Sequence, residues 1–284
     1  MVTIQRSNVY TNYAVKSFFE NTKLNKDDEF FFINNDGCDL EKYYSDKKIK
    51  IIKNKLPLSI AQNINQIIEK ALKHKKDLVF LNNDIIFTKN WFRPLQLNSK
   101  DISIPVNNQI FPYESECGNL KLNVTMNLKD FNGNYSLLEN IVEKHKKKFK
   151  PNIKFETLLM PFFCFKIPYE ILSKVGYFDD NFIHGAEDVD YRIRSIIKGH
   201  NVNFLLDSYL LHFHGKSSWD GGETTNEVKE RNRKYTEVFL KKWGDEMTKI
   251  FILRKDFIEI INKKGLEDIF KEGKFSELVK KILK

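Results

Sequence analysis

The chain of 284 residues carries 47 Lys and Arg against 38 Asp and Glu, a formal charge of +9, and 41% of its residues are hydrophobic. That is enough for a full core and excludes a disordered or fibrous chain, and no apolar run approaches the ~20 residues of a membrane span. Cys38, Cys117 and Cys164 are odd in number and unclustered, against a disulfide framework or a structural zinc site, while the positive charge favours anionic partners such as nucleotides or phospholipid surfaces.

Met1 to Val15 lacks the apolar core of a signal peptide, so a cytoplasmic location is expected. Thr3 and Ile4 read as a first strand, with Arg6, Ser7 and Asn8 in the loop after it. Residues 13–21 suit a short amphipathic helix with Ala14, Val15, Phe18 and Phe19 on one side. Residues 29–33 form a strand that ends in the turn signal Asn34-Asn35-Asp36-Gly37. Residues 48–52 supply a third strand, 58–72 a second helix capped near Ser59, and 77–82 a fourth strand. Strands alternating with helices imply a parallel sheet whose ligands bind beyond the strands' carboxyl ends, where Asn35, Asp36 and Asp84 all fall.

Residues 78–87 read Leu-Val-Phe-Leu-Asn-Asn-Asp-Ile-Ile-Phe, with Asp84 as the one charge between two apolar runs. A carboxylate there requires donors, a cation or a metal, which makes Asp84 a candidate metal ligand. Residues 101–154 are less regular, and the basic run 144–148 reads as a solvated helix face. The acceptor-type sequences at Asn123 and Asn134 are expected to be chance without a secretory signal. Pro168 opens a helix through Lys174. Glu187, Asp188 and Asp190 precede a helical pattern at 191–198; the helix amino terminus favours negative charge, but a cap needs only one of these acids. A strand at 201–206 is followed by Leu210-Leu211-His212-Phe213-His214, whose alternation puts both histidines on one face and suits a metal or phosphate role.

From Glu223 the composition changes to charged helices at 226–243, 247–263 and 266–283. The last carries Ile269, Phe270, Leu278, Val279, Ile282 and Leu283 at helical spacing, a stripe expected to pack on a core or to form a homodimer, with peripheral membrane contact as its other use.

The ordered set of Asn34-Asn35-Asp36-Gly37, Asn82-Asn83-Asp84, Glu187-Asp188-Val189-Asp190 and His212 resembles the GT-A glycosyltransferases of family 2, inverting enzymes that use nucleotide-diphosphate sugars, over about residues 1–220. Asn54, Ser59, Ala61, Gln62 and Asn63 resemble that family's lead into its second helix, and Val175-Gly176-Tyr177-Phe178-Asp179 resembles the segment before its acidic motif. The resemblance implies an α/β, GT-A (Rossmann-like) domain over 1–222, with a mixed, mainly parallel sheet flanked by helices, and a C-terminal helical extension over 223–284.

It further implies Asp188 as general base with Glu187 orienting acceptor or base, and Asp190 capping the helix or pairing with Arg194. Asp84 resembles the metal carboxylate, with His212, or its rival His214, as the late metal or diphosphate ligand. Arg6 and Asn8 fall in the first nucleotide-binding loop, Asn35 and Asp36 near the nucleotide base, and Asn82 and Asn83 in the Asp-x-Asp-like motif; Asn35 and Asn82 stand where the family carries aspartates. The implied cofactor is Mn²⁺ or Mg²⁺, the donor a UDP-sugar, and the acceptor a glycan, lipid-linked or protein hydroxyl. A sugar nucleotidyltransferase is the rival enzyme, but residues 6–11 contain no glycine for its phosphate loop. A GT-A-like module that binds nucleotide or glycan without turnover is the rival from another class. No aromatic-basic recognition motif supports nucleic acid.

Overall fold

Two sheets organise the chain, which a computed structural model describes over residues 1–3, 8–36, 49–108, 126–149, 153–183, 185–216 and 224–284. The first is fully parallel, in the order β1 (Val2–Thr3), β2 (Phe30–Asn34), β3 (Ile49–Lys53). Helix α1 (Asn8–Asn21) makes the β1–β2 crossover and helix α2 (Ile60–His74) leads from β3 to the second sheet, burying Val15, Phe18, Ile64 and Ile68 against the core. Ser59 and Gln62 close a reciprocal capping box at the start of α2.

The second sheet contains β4 (Leu78–Leu81), β5 (Ile85–Phe87), β6 (Ile102–Asn107), β7 (Lys154–Glu156), β8 (Cys164–Ile167) and β9 (Val202–His212). Its order is β4-β8-β6-β9-β5, with β7 also on β9. The β6–β9 pair is parallel and the other pairs are antiparallel, so this sheet is mixed and mainly antiparallel, and the expected parallel run is that of the first sheet. Residues 201–206 and 210–212, expected as separate segments, belong to the single strand β9. The polar Asp207 and Ser208 interrupt the apolar pattern, and the ladder to β6 slips between Pro105 and Val106, where proline has no N–H to donate.

The described parts of the stretch 101–154 form regular elements that its composition does not suggest. Besides β6 it forms α4 (Leu128–Phe131) and α5 (Tyr135–Lys146), after α3 (Phe92–Leu97). Within the basic run, Lys144, Lys147 and Lys148 are exposed, whereas His145 is buried with Nε2 2.7 Å from the Leu206 carbonyl. Asn134 caps α5, accepting the Leu137 N–H at 3.0 Å; Asn123, Cys38 and Cys117 lie outside the described residues.

After α6 (Tyr169–Val175) comes α7 (Glu187–Ile197), which the tail wraps. The tail runs through α8 (Thr225–Thr248), broken at Gly244 with φ 83°, a π-helical turn (Lys249–Leu253), α9 (Phe257–Lys263), α10 (Glu267–Lys271) and α11 (Phe275–Ile282). Phe270, Leu278, Val279 and Ile282 are buried in one cluster with Val189, Ile193 and Ile196 of α7. The apolar stripe therefore packs on the chain's own core, and neither a membrane contact nor a homodimer through it is supported. No helix among the described residues is long and apolar enough to cross a membrane. The expected boundary at 222/223 lies outside the described residues, and the helices beyond it share this core with α7.

Asp190 fixes that junction. Its fully buried carboxylate takes Arg194 Nε at 2.8 Å, Lys242 Nζ at 2.7 Å and Trp243 Nε1 at 3.0 Å, the last two from α8. Arg194 also donates to the Val175 and Tyr177 carbonyls, tying the preceding turn to α7. Asp190→Ala removes one partner each from Arg194, Lys242 and Trp243, while Arg194 keeps its two carbonyls and Lys242 keeps Asp179, and should lower unfolding stability by about 2 kcal/mol. Urea denaturation reads this as a lower midpoint; an unchanged midpoint would show that the junction does not depend on Asp190.

Candidate active site

Asn82, Asn83 and Asp84 occupy the three positions at which the chain changes strand partner, from β8 to β9. The register Ile85↔His212 then sets His212 beside Asp84, and the Phe213 N–H closes the step on the Asp84 carbonyl at 3.0 Å. Asp84 is fully buried; its Oδ2 accepts the Lys216 N–H at 3.0 Å and its Oδ1 lies 3.2 Å from His212 Nε2. Burial works to raise the Asp84 pKa, but His212 and the Lys216 amide outweigh it and hold the carboxyl below its ordinary range. His214, whose ring centroid is 4.1 Å from that of His212, is pushed down to about 4 by burial and by His212.

The residues present fit a divalent cation in one respect. Asp84 Oδ1 and His212 Nε2 are buried, face each other and make no hydrogen bond of proper geometry among the described residues. Two ligands each 2.0–2.2 Å from one ion stand roughly 3 Å apart, close to their separation. No group of three His, Cys, Asp or Glu side chains that could hold an ion occurs among the described residues. Asp84 and His212 would thus supply two ligands and leave the rest to substrate oxygens, as is usual where an ion binds phosphates.

The expected nucleotide residues divide. Asn35 is committed to the interior: its Oδ1 accepts from Asn54 Nδ2, Leu58 N and Asn63 Nδ2 at 2.8, 2.9 and 3.0 Å, and its Nδ2 donates to the Leu58 carbonyl at 3.1 Å. This network joins the end of β2 to the start of α2, and Asp36 beside it is exposed. Asn83 is buried and donates to Thr11 Oγ1 of α1 at 2.8 Å, whereas Asn82 is half-buried and uses its backbone N–H on the Phe163 carbonyl at 2.7 Å. Asn8 is the exposed first residue of α1, and Arg6 lies outside the described residues.

Glu187 and Asp188 open α7 from an unusual base. Ala186 before them has φ 69°, a left-handed conformation that costs a non-glycine residue roughly 1–2 kcal/mol. Glu187 is 4% exposed, and its Oε2 has no hydrogen-bond partner among the described residues. Burial and then the Asp188 charge push its pKa up to about 8, partly opposed by backbone amides and Arg231. Asp188 is pushed up to about 6 by burial, against the Val189 N–H, 2.8 Å from its Oδ1, and Arg254.

The tail residues beside this pair escaped the sequence reading. Arg231 influences Glu187, Arg254 influences Asp188, and both acids act on Tyr235. Tyr235 lies so close to Gly185 that a Cβ there would meet its ring at 2.4 Å. The one local signal for this contact was a glycine two residues before the acid pair, and nothing in the tail's pattern named its partner.

No protein-family model matches the sequence, and no curated protein sequence does. Solved structures do match. A structure of GalNAc-T7 with UDP, GalNAc and Mn²⁺ gives a TM-score of 0.56 at 15% identity, over 94% of this chain and 50% of that one. S. aureus TarS 1-349 gives 0.51 at 14% identity over 90% and 70%, and its complex with UDP gives 0.50 at 13% over 89% and 70%. The chain thus spans half the length of the first of these structures. At such identities the likeness shows the fold, which is the Rossmann-like GT-A arrangement.

The acid pair makes stability depend on pH. Between the ordinary Glu value of 4.5 and about 8, the native state holds a proton on Glu187 that the unfolded chain releases, so wild-type stability falls as pH rises through that window. Glu187→Gln removes this dependence, and chemical denaturation across the window should show the variant gaining on wild type as pH rises. Parallel stability curves would contradict the assignment.

Proposed function

We propose that the chain is an inverting glycosyltransferase of the hexosyltransferase type. It moves a sugar from a nucleotide-diphosphate sugar, with UDP-sugar as the expected donor, to a hydroxyl on a glycan, lipid-linked or protein acceptor. The observation that carries the reading is Asp188, a carboxyl raised to about 6 beside a second buried acid on a GT-A fold.

At neutral pH Asp188 is ionised, yet basic enough to accept the acceptor's hydroxyl proton as the oxygen attacks the anomeric carbon. The bond to the diphosphate breaks on the opposite face, the nucleoside diphosphate leaves with the bonding electrons, and the configuration inverts. Glu187, raised to about 8, keeps its proton at that pH and can donate a hydrogen bond to the acceptor or to Asp188. Asp84 and His212, with His214 as the alternative, would hold Mn²⁺ or Mg²⁺, which supplies charge neutralisation to the departing phosphates. Asp36, Asn8, Arg6, Asn82 and Asn83 are assigned to the nucleotide; Asn35 supports that wall through its internal network.

The non-catalytic reading draws on Asn82, which supplies no charge, and on the interior commitment of Asn35. Glu187 Oε2, which has no hydrogen-bond partner among the described residues, favours turnover over it, because a buried acid with one oxygen left open can still donate to a reacting group.

Purified protein with Mn²⁺ and a panel of nucleotide sugars should hydrolyse or transfer at least one donor, and chelation should suppress the reaction; no turnover or binding across the panel would sink the proposal. Asp188→Asn should cut transfer by about 10²-fold or more with donor binding retained. Transfer that survives this change would remove Asp188 from the role of base.

A further inference from the structure

The segment before the acid pair and the first turns of α8 enclose a cleft of about 530 Å³, within the roughly 300–1,000 Å³ range of small-molecule sites. Asn181 and Ile183 wall one side; Asn226, Glu230, Lys234 and Tyr235 of α8 wall the other. We propose that this cleft binds the acceptor as a saccharide, so that the tail helix α8 selects the substrate. The role assigned to that saccharide rests on the glycosyl-transfer reading; its binding does not.

Three observations converge on that ligand. First, the lining is amphipathic in the way a sugar is. Ile183, 57% exposed, and the half-buried Tyr235 ring offer apolar surface to C–H faces, while amide, carboxylate and ammonium groups offer donors and acceptors to hydroxyls. Second, the charges lining the cleft balance, Glu227 and Glu230 against Arg231 and Lys234, which does not select for a polyanion. Both Glu230 oxygens accept from Arg233, at 2.8 and 2.9 Å, whereas Lys234 Nζ stands 3.6 Å from Glu230 Oε1 and keeps donor capacity for a ligand hydroxyl.

Third, the cleft is fixed to the acid pair. Tyr235 packs on Gly185 so closely that any side chain at residue 185 would collide with its ring. Arg231, also in the lining, is the cation that acts on Glu187. Two lining residues, Tyr235 and Arg231, thus connect the cleft to the acid pair, and the Tyr235 ring cannot retreat without releasing its contact with Gly185.

Saturation-transfer NMR of the full chain, without donor or metal, tests the proposal. The probes are methyl glycosides of glucose, galactose, mannose, N-acetylglucosamine and N-acetylgalactosamine, and short oligosaccharides of each. Transfer to sugar ring protons is expected, Lys234→Ala and Asn181→Ala should each weaken binding about tenfold, and Lys281→Ala on α11 should bind as wild type. No saccharide signal from any probe, or one that neither cleft variant weakens, overturns the proposal. So does a signal found only with serine- or threonine-containing peptides or with phosphatidylglycerol vesicles.

Donor turnover with Mn²⁺, measured on the same wild-type protein, separates the two readings. Saccharide bound in the cleft without donor turnover sustains the site and removes the transferase role, and donor turnover without saccharide in the cleft does the reverse.

Discussion

The structure depends on the buried carboxylate of Asp190. It is the point at which α7, carrying the acid pair, and α8, carrying the tail, are held together by opposite charge in a place where charge cannot be left alone. Arg194 answers it from the same helix, and Lys242 and Trp243 answer it from α8. Once those contacts are made, α8 cannot slide along α7 without stranding an ion. The approach of Tyr235 to Gly185 and of Arg231 to Glu187 then follows from the helix's fixed register.

The three acids at the start of α7 have been given opposite treatments. Asp190 is fully partnered, and its energy is spent on joining two helices. Glu187 is buried and Asp188 half-buried beside it, and loss of solvent raises both pKa values, to about 8 and about 6, which makes one an acid and the other a base near neutral pH. Local strain accompanies that arrangement, since Ala186 holds a left-handed conformation immediately before them. Such strain persists only where surrounding packing over-determines it, and the Phe182, Val189 and Phe239 cluster beneath supplies that packing.

Much of the amino-terminal half was legible in the sequence because local chemistry decides it. Ser59 marks the cap of the helix expected at 58–72, and the structure starts α2 there, with Gln62 completing the capping box. Asp84 stood out because a lone charge between apolar runs must find compensation, and His212 is there. What could not be read was pairing at a distance. The partner change from β8 to β9, the joining of 201–206 with 210–212 in one strand, and the antiparallel character of the second sheet all depend on which strands meet, which no local pattern encodes. The tail reads as three helices with an apolar stripe; the structure breaks the last two, leaving helices at Phe257–Lys263, Glu267–Lys271 and Phe275–Ile282, and the stripe finds its target where Leu278 and Val279 join Ile193 and Ile196 in one cluster.

Asn35 shows how a departure from a family pattern can acquire a physical meaning. An aspartate at residue 35 would accept the same N–H groups from Asn54, Leu58 and Asn63, but it has no amide hydrogen to give the Leu58 carbonyl. The asparagine completes a neutral network that fastens the end of β2 to the amino end of α2, with Gln66 extending it to Asn54 at 3.2 Å. Neutrality there leaves the exposed Asp36 as the one carboxylate at the end of β2 among the described residues, and Asn82 leaves Asp84 as the one carboxylate between β4 and β5. The strand ends thus carry two separated carboxylates rather than two adjacent pairs. Each added carboxylate would need its own donors or cation, so at both strand ends an asparagine keeps the polar contacts without adding a charge that the chain must compensate.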